Sequence, residues 1–152
     1  MRRLATLVLL VPLTACGLLR GPQAPEPAVI APGNTPEMQS LIRSTAQDLG
    51  IPESLLHRVV QIESGYDPAA RNGVHMGLMQ INPQTARTMG YEGPPEGLLD
   101  PATNLRYGGL YLRGAWIVAN GDPDEAWGWY NRGYYYEARD RGLLEETGLR
   151  RS

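Results

Sequence analysis

The chain has 152 residues, of which 42% are hydrophobic and 20% charged, a composition typical of one globular domain with a small additional segment. Its formal net charge of −2 excludes a nucleic-acid-binding protein that works through a basic stripe. A single cysteine excludes a disulfide scaffold, and with only two histidines beside it a zinc site would be short of ligands. We therefore expect no metal, no cofactor and no nucleic-acid partner.

The first sixteen residues have the pattern of a bacterial export signal. Two arginines precede an apolar run over residues 4–13, which is too short to span a bilayer as a helix but fits a signal peptide. Residues 13–16, Leu-Thr-Ala-Cys, resemble a lipobox, which predicts a signal peptide over residues 1–15 and a lipid on Cys16. Gly17 after this cysteine favours the outer membrane. The alternative is an ordinary secretory signal in which the cysteine is incidental.

A proline-rich segment follows the predicted lipidation site. Residues 16–34 contain four prolines and few side chains that could be buried. Repeated proline prevents a helix and favours an extended chain, so we expect a tether here. Such a tether would let the folded part stand away from the membrane and search a nearby surface.

The predicted folded domain, residues 35–152, carries a repeated signal for helix starts. Four times a capping residue stands directly before a proline suited to the first helical position. The four pairs are Thr35-Pro36, Asn82-Pro83, Asp100-Pro101 and Asp122-Pro123. Apolar residues at helical spacing follow, and two further helices are predicted from Pro52 and from Tyr135. No stretch alternates over the length of a strand, so the predicted fold class is all-α, with long loops between the second, third and fourth helices.

Glu63 stands near the apolar face of the second predicted helix. It lies four residues after Val59 and falls in the last turn, where the helix dipole disfavours an acid. Both effects would raise the pKa of the carboxyl. A carboxylic acid that stays protonated near neutral pH is what cleavage of a glycosidic bond needs as its proton donor. The spacing alone leaves open a carboxylate that reaches water at the edge of the helix.

Four sequence blocks follow one another through the predicted domain. They are ESGYDPAA at 63–70, GLMQINPQTA at 77–86, DPATNL at 100–105 and WGWYNRG at 127–133. In content and order they resemble the motifs of the lytic transglycosylase family of the soluble, lysozyme-like type, and the match covers roughly residues 37–135. The resemblance implies a lysozyme-like single domain in which the long loops form a glycan-binding cleft.

The resemblance also implies a substrate and a reaction. The substrate is the glycan strand of peptidoglycan, cut between N-acetylmuramic acid and N-acetylglucosamine. The family uses one carboxyl as acid and then as base, carried over here to Glu63, and forms a 1,6-anhydro sugar without consuming water. Ordinary glycosidases need two carboxyls, and the nearest other acid in the sequence, Asp67, fits a turn better. Hydrolysis of the lysozyme type and a non-cutting, wall-binding lipoprotein remain the alternatives.

Further site residues carry over from the family motifs one by one. Tyr130 matches a tyrosine whose hydroxyl lies by the catalytic acid, and Asn131 would support the adjoining turn or cap a helix end. The predicted substrate contacts are Ser64, Asn72, Gly77, Met79 and Gln80. Ser64 could instead cap the second helix, and Met79 could belong to the core. Asn72 stands where many members of the family have a serine.

Other residues leave more than one interpretation. Trp129 could pave a sugar subsite or fill the core, and so could any of the three tyrosines at 134–136. His57 and His75 suggest no site. The features together predict a lipid-anchored enzyme at the periplasmic face of the outer membrane of a Gram-negative bacterium. It would recycle wall material or open the wall for an envelope-spanning complex.

Overall fold

Six α-helices dominate the computed structural model, which describes residues 32–150. The predicted signal peptide, Cys16 and most of the tether lie outside the described residues. The helices are α1 (Pro36–Leu49), α2 (Glu53–Ser64), α3 (Pro83–Thr88), α4 (Pro101–Val118), α5 (Pro123–Arg132) and α6 (Tyr135–Asp140). The all-α fold class predicted from the sequence is confirmed. Among residues 32–150, no helix has the length and apolar character needed to span a bilayer.

Two small elements lie in the loops between the helices. Strands β1 (Arg71–Asn72) and β2 (His75–Met76) form an antiparallel hairpin between α2 and α3. A 3₁₀ helix, Pro95–Leu99, follows α3 and leads directly into α4. The two strands were not predicted, because an element of two residues is too short for alternation to be recognised.

The predicted helix starts are built as the sequence indicates. Each of the four capping residues accepts a hydrogen bond from a backbone N–H of the first turn. Asp122 accepts two, from the N–H groups of Asp124 and Glu125, at 2.9 and 2.8 Å. Helix α2 ends at Gly65, which takes the left-handed conformation with φ of 59°. The caps thus fix where four helices begin. Gly65 fixes where α2 ends, and with it the position of Glu63 in the last turn.

Helix α4 lies at the centre of the fold and contacts α1, α3, α5 and the 3₁₀ helix. Its buried apolar side chains, Leu105, Leu112, Ala115 and Val118, form one core with those of α1 and α2. Gly108 and Gly109 allow close approach, because a Cβ at either position would collide with the side chain of Met79 or Leu49. The loop that carries residues 77–80 therefore packs tightly against the central helix.

Asn104 of α4 is a fully buried polar side chain that joins three segments. Its Nδ2 donates to the carbonyl oxygens of Met76 at 2.8 Å and Leu98 at 2.6 Å. Its Oδ1 accepts from the N–H of Met79 at 2.8 Å. One side chain thus satisfies three buried backbone groups of the hairpin, the 77–80 segment and the 3₁₀ helix.

We expect Asn104→Ala to lower the free energy of unfolding by about 3 kcal/mol or more, because it leaves three buried backbone groups without partners. Urea unfolding measures this loss. Arg106→Ala, an exposed position on the same helix, should change stability by less than about 0.5 kcal/mol. Equal stability of Asn104→Ala and the wild type would show that this side chain does not hold the loops in place.

Candidate active site

Glu63 lines a polar cleft at the end of α2. One pocket of the cleft, about 240 Å³, is formed by Glu63 with the side chains of β1, β2, the 77–80 segment and α5. A second pocket, about 270 Å³, adjoins it and extends along α3 and α4 to the end of α5. The residues that line both pockets are His75, Gln80, Tyr130 and Asn131. We refer to the two pockets together as the cleft.

The environment of Glu63 favours its protonated form. Half-burial of the carboxyl raises its pKa, and the charge of His75 opposes this with a smaller, lowering effect. The direction agrees with the effect expected from the position of Glu63 on α2. The group is therefore suited to donating a proton into the cleft.

Glu63 is the one acid of the described residues that lines the cleft. Within residues 32–150, no other aspartate or glutamate lines either pocket. Asp67, the nearest acid in sequence, accepts a hydrogen bond from the N–H of Ala69 at 2.9 Å and forms the predicted turn. The described part of the chain also brings no three His, Cys, Asp or Glu side chains together as a metal site.

The 77–80 segment lies behind the cleft, which its Gln80 lines, and we call this segment the wall. Three helices hold it in place. The hydroxyl of Ser64, at the end of α2, donates to the carbonyl of Leu78 at 2.8 Å. Asn104 of α4 binds the N–H of Met79, and the hydroxyl of Tyr130 of α5 donates to the carbonyl of Met79 at 2.7 Å. This wall is therefore fixed through its backbone.

Three of the predicted substrate contacts belong to this backbone network. The side chain of Met79 is fully buried in the core, and both of its backbone polar groups are already paired. The hydroxyl of Ser64 lies within hydrogen-bond distance of the carbonyls of Leu78 and Val60, both inside the protein. Gly77 is buried with φ of 74°, and a Cβ there would collide with Asn104 rather than enter the cleft. These contacts favour a role for all three residues in positioning the wall, and their contact with a sugar stays a prediction.

The other predicted contacts do lie in the cleft. Gln80 uses both N–H groups of its amide on the carbonyls of Ala70 and Gly77, so the group it can present is the oxygen acceptor. Asn72 on β1 is exposed and faces the same pocket as Glu63. Asn131, which was predicted to support the adjoining turn or cap a helix end, is exposed in the last turn of α5 and lines both pockets as well. These three side chains remain candidates for binding a ligand.

Tyr130 lies between the core and the cleft. Burial, with a smaller effect from the nearby charge of Glu63, raises the pKa of its phenol far above the usual range, so the hydroxyl stays neutral. Because its proton goes to the carbonyl of Met79, it acts on the wall rather than by a hydrogen bond donated to the carboxyl. Trp127 stacks on the ring at 6.2 Å between centroids, and Tyr111 meets it edge-on at 5.5 Å. The ring is therefore held rigidly beside Glu63.

His75 is a site residue that the sequence interpretation missed. It is exposed on β2, lines both pockets and is the charged neighbour that acts on the pKa of Glu63. It follows Glu63 by twelve residues and reaches the cleft only because the short hairpin turns the chain back. The sequence interpretation assigned no site to His75, whereas the structure places it in the cleft. Tyr111 of α4 also lines the second pocket and was not predicted as a site residue.

The fold and the site together define a class of protein. It is an all-α domain in which one half-buried carboxyl of the described residues lines a polar cleft. A family model described as "Transglycosylase SLT domain" matches residues 40–143, and the chain belongs to this family. No solved structure matches the chain.

Several curated relatives carry the name "Membrane-bound lytic murein transglycosylase C". The relative from Mannheimia succiniciproducens is 39% identical over an alignment of 89 residues, and the match covers 53% of this chain and 24% of the relative. One from Haemophilus influenzae strain PittGG is 41% identical over 88 residues, again 53% and 24% of the two chains. One from Yersinia enterocolitica is 38% identical over 80 residues, 47% of this chain and 22% of the relative. The chain thus spans about a quarter of the length of the curated relatives it matches.

We expect Glu63→Gln to be more stable than the wild type at pH 7. Glu63 binds its proton more strongly in the folded chain than in the unfolded chain, so stability falls as pH rises past the ordinary pKa of a glutamate. The gain should stay below about 1 kcal/mol, because solvent screens a half-exposed carboxyl. Thermal unfolding at pH 7 and at pH 3 tests this, since the difference should vanish at pH 3. An equal difference at both pH values would contradict the raised pKa.

We expect His75→Gln to raise the pKa of Glu63 further, because it removes a neighbour whose charge lowers that pKa. Carbon-13 NMR titration of the Glu63 carboxyl measures the change. The matched control is His57→Gln, which replaces the other histidine at a position on α2 that lines neither pocket. A titration curve unchanged by His75→Gln, or changed equally by His57→Gln, would contradict the pairing.

Proposed function

We propose that the chain is a peptidoglycan lytic transglycosylase that cleaves the β-1,4 bond between N-acetylmuramic acid and N-acetylglucosamine with Glu63 as its acid and base. The observation that carries the proposal is a half-buried carboxyl with a raised pKa, alone among the described acids in its cleft. Membership of the transglycosylase family supports the substrate class. The relatives' names, which describe a murein transglycosylase, support it further.

The reaction needs only one carboxyl, because Glu63 acts first as the acid and then as the base. Glu63 first donates its proton to the bridging oxygen, and the bond from that oxygen to the anomeric carbon of the muramyl ring breaks. The resulting carboxylate then takes the proton of the C6 hydroxyl of this ring, and the C6 oxygen bonds to the anomeric carbon. One C–O bond is exchanged for another, Glu63 ends protonated, and no water is consumed.

The lone carboxyl favours this reaction over hydrolysis. Hydrolytic glycosidases place a second carboxyl about 5–5.5 Å or about 6.5–9.5 Å from the first, to act as nucleophile or to activate water. In the part of the chain that the structure describes, no second acid lines the cleft to take that role. An intramolecular hydroxyl as nucleophile removes the need for one.

We also infer that the enzyme works from the membrane. The relatives are named as membrane-bound, which supports an envelope location. A signal peptide over residues 1–15, a lipid on Cys16 and a tether over residues 16–34 would place the domain at the periplasmic face of the outer membrane. From there it would reach the glycan strands of the wall, for general recycling or for an envelope-spanning complex.

Digestion of purified peptidoglycan tests the proposal. We expect fragments whose muramyl ends are lighter by one water than reducing ends, as measured by mass spectrometry. Glu63→Gln should reduce their formation by about 10²- to 10⁴-fold, the usual contribution of a general acid–base group. Glu96→Gln is the matched control, because Glu96 is an exposed acid of the 3₁₀ helix outside the cleft.

The other outcomes separate the alternatives. Reducing ends in place of anhydro ends would show hydrolysis and contradict the single-carboxyl mechanism. No fragments from folded wild-type protein would contradict enzymatic function and leave a wall-binding protein. Undiminished cleavage by Glu63→Gln would contradict the role of this residue.

A further inference from the structure

A groove lined by aromatic rings lies between the end of α5 and helix α6, next to the cleft. Its volume, about 420 Å³, exceeds that of either pocket of the cleft. Trp129 and Arg132 line it from α5, and Tyr135, Tyr136, Glu137 and Asp140 line it from α6. We call this feature the aromatic groove.

Two of the rings in the aromatic groove are exposed and yet held in place. The exposed fraction is 50% for Tyr135 and 70% for Tyr136, and the two rings meet edge-on with centroids 5.4 Å apart. Helix α6 beneath them is anchored by Tyr134, which is 1% exposed and donates its hydroxyl to the carbonyl of Tyr111 at 2.8 Å. Exposed rings on an anchored helix form a preorganised surface that a ligand can cover at small entropic cost.

The aromatic groove borders the cleft. Arg132 and Gly133 line both of them, so only the last residues of α5 and the turn to α6 lie between. The guanidinium of Arg132 lies over the ring of Trp129, 3.9 Å from its centroid, and this cation–π contact fixes both side chains at the junction. A linear ligand long enough to pass Arg132 and Gly133 can therefore contact both the cleft and the groove.

The chemistry of the groove combines apolar faces with a polar rim of balanced charge. Asp140 pairs with Arg139 at 2.7 Å, and Glu137 lies 3.8 Å from Arg141, so each acid of the rim has a cationic partner. Arg132 offers donors, and the two carboxylates offer acceptors. A sugar ring has the matching character, with apolar C–H faces that cover an aromatic ring and neutral hydroxyl and acetamido groups around its edge.

We propose that the aromatic groove binds further sugar rings of the same glycan strand whose scissile bond lies at Glu63. The inference rests on the proposed function for the identity of the strand. It makes the enzyme selective for long strands over short oligosaccharides, because only a long strand fills both the cleft and the groove. The added contacts hold a strand in register without touching the reacting atoms.

Replacing both exposed rings tests the proposal. The double variant Tyr135→Ala/Tyr136→Ala should lower kcat/KM on peptide-free glycan strands about tenfold and leave kcat/KM on a single tetrasaccharide of the wall within about twofold. Tyr135→Phe/Tyr136→Phe is the matched control, because it keeps both rings and should behave as the wild type. Circular dichroism of each variant checks the fold, which these exposed side chains should not affect.

A second measurement keeps the groove testable apart from catalysis. Calorimetry with a β-1,4-linked N-acetylglucosamine hexamer should show about tenfold weaker binding to the alanine variant than to the phenylalanine variant, both carrying Glu63→Gln. If wild-type protein produced no fragments, the proposed function would fail and this binding difference alone would decide for or against the groove. Equal binding, or an equal loss of kcat/KM on long and short substrates, would overturn the inference. So would self-association that depends on the two rings while hexamer binding does not.

Discussion

The wall of the cleft depends on hydrogen bonds that three helices send to one short segment. Ser64 of α2, Asn104 of α4 and Tyr130 of α5 each pair with a backbone group of Leu78 or Met79. The segment can take this shape only when the three helices are packed together, so the cleft and the core form as one unit. Glu63 directly precedes Ser64, and the packing that completes the core therefore also sets the position of the carboxyl.

Two opposing influences act on the pKa of this carboxyl, and the net effect raises it. Burial favours the protonated form, and His75, on the open side of the cleft, favours the charged form to a smaller extent. The proposed reaction requires both states in turn, since Glu63 first gives up a proton and then recovers one. A deeper site would hold the proton too firmly, and a fully exposed one would lose it before a substrate arrived.

The sequence predicts well what is determined locally. Capping residues before prolines place helix starts because each cap bonds to its own first turn. It predicts poorly where one residue type can serve either a ligand or the backbone, as with Ser64 and Met79, because partners distant in sequence decide between the two. The three consecutive tyrosines show the same limit: the structure buries Tyr134 and exposes Tyr135 and Tyr136. A helix of six residues is too short for its periodicity to indicate which face is buried.

The two sides of the cleft differ in how strongly they are tied to the rest of the protein. Residues 71–75 of the hairpin, which line the cleft through Asn72 and His75, are all exposed, and Val74 at the turn is 58% exposed. Exchanges at such positions cost little folding free energy, and surface loops tolerate changes in length. Evolution or an engineer can therefore change this hairpin at Arg71 and Val74 while Glu63, its neighbour His75 and the core are inherited unchanged.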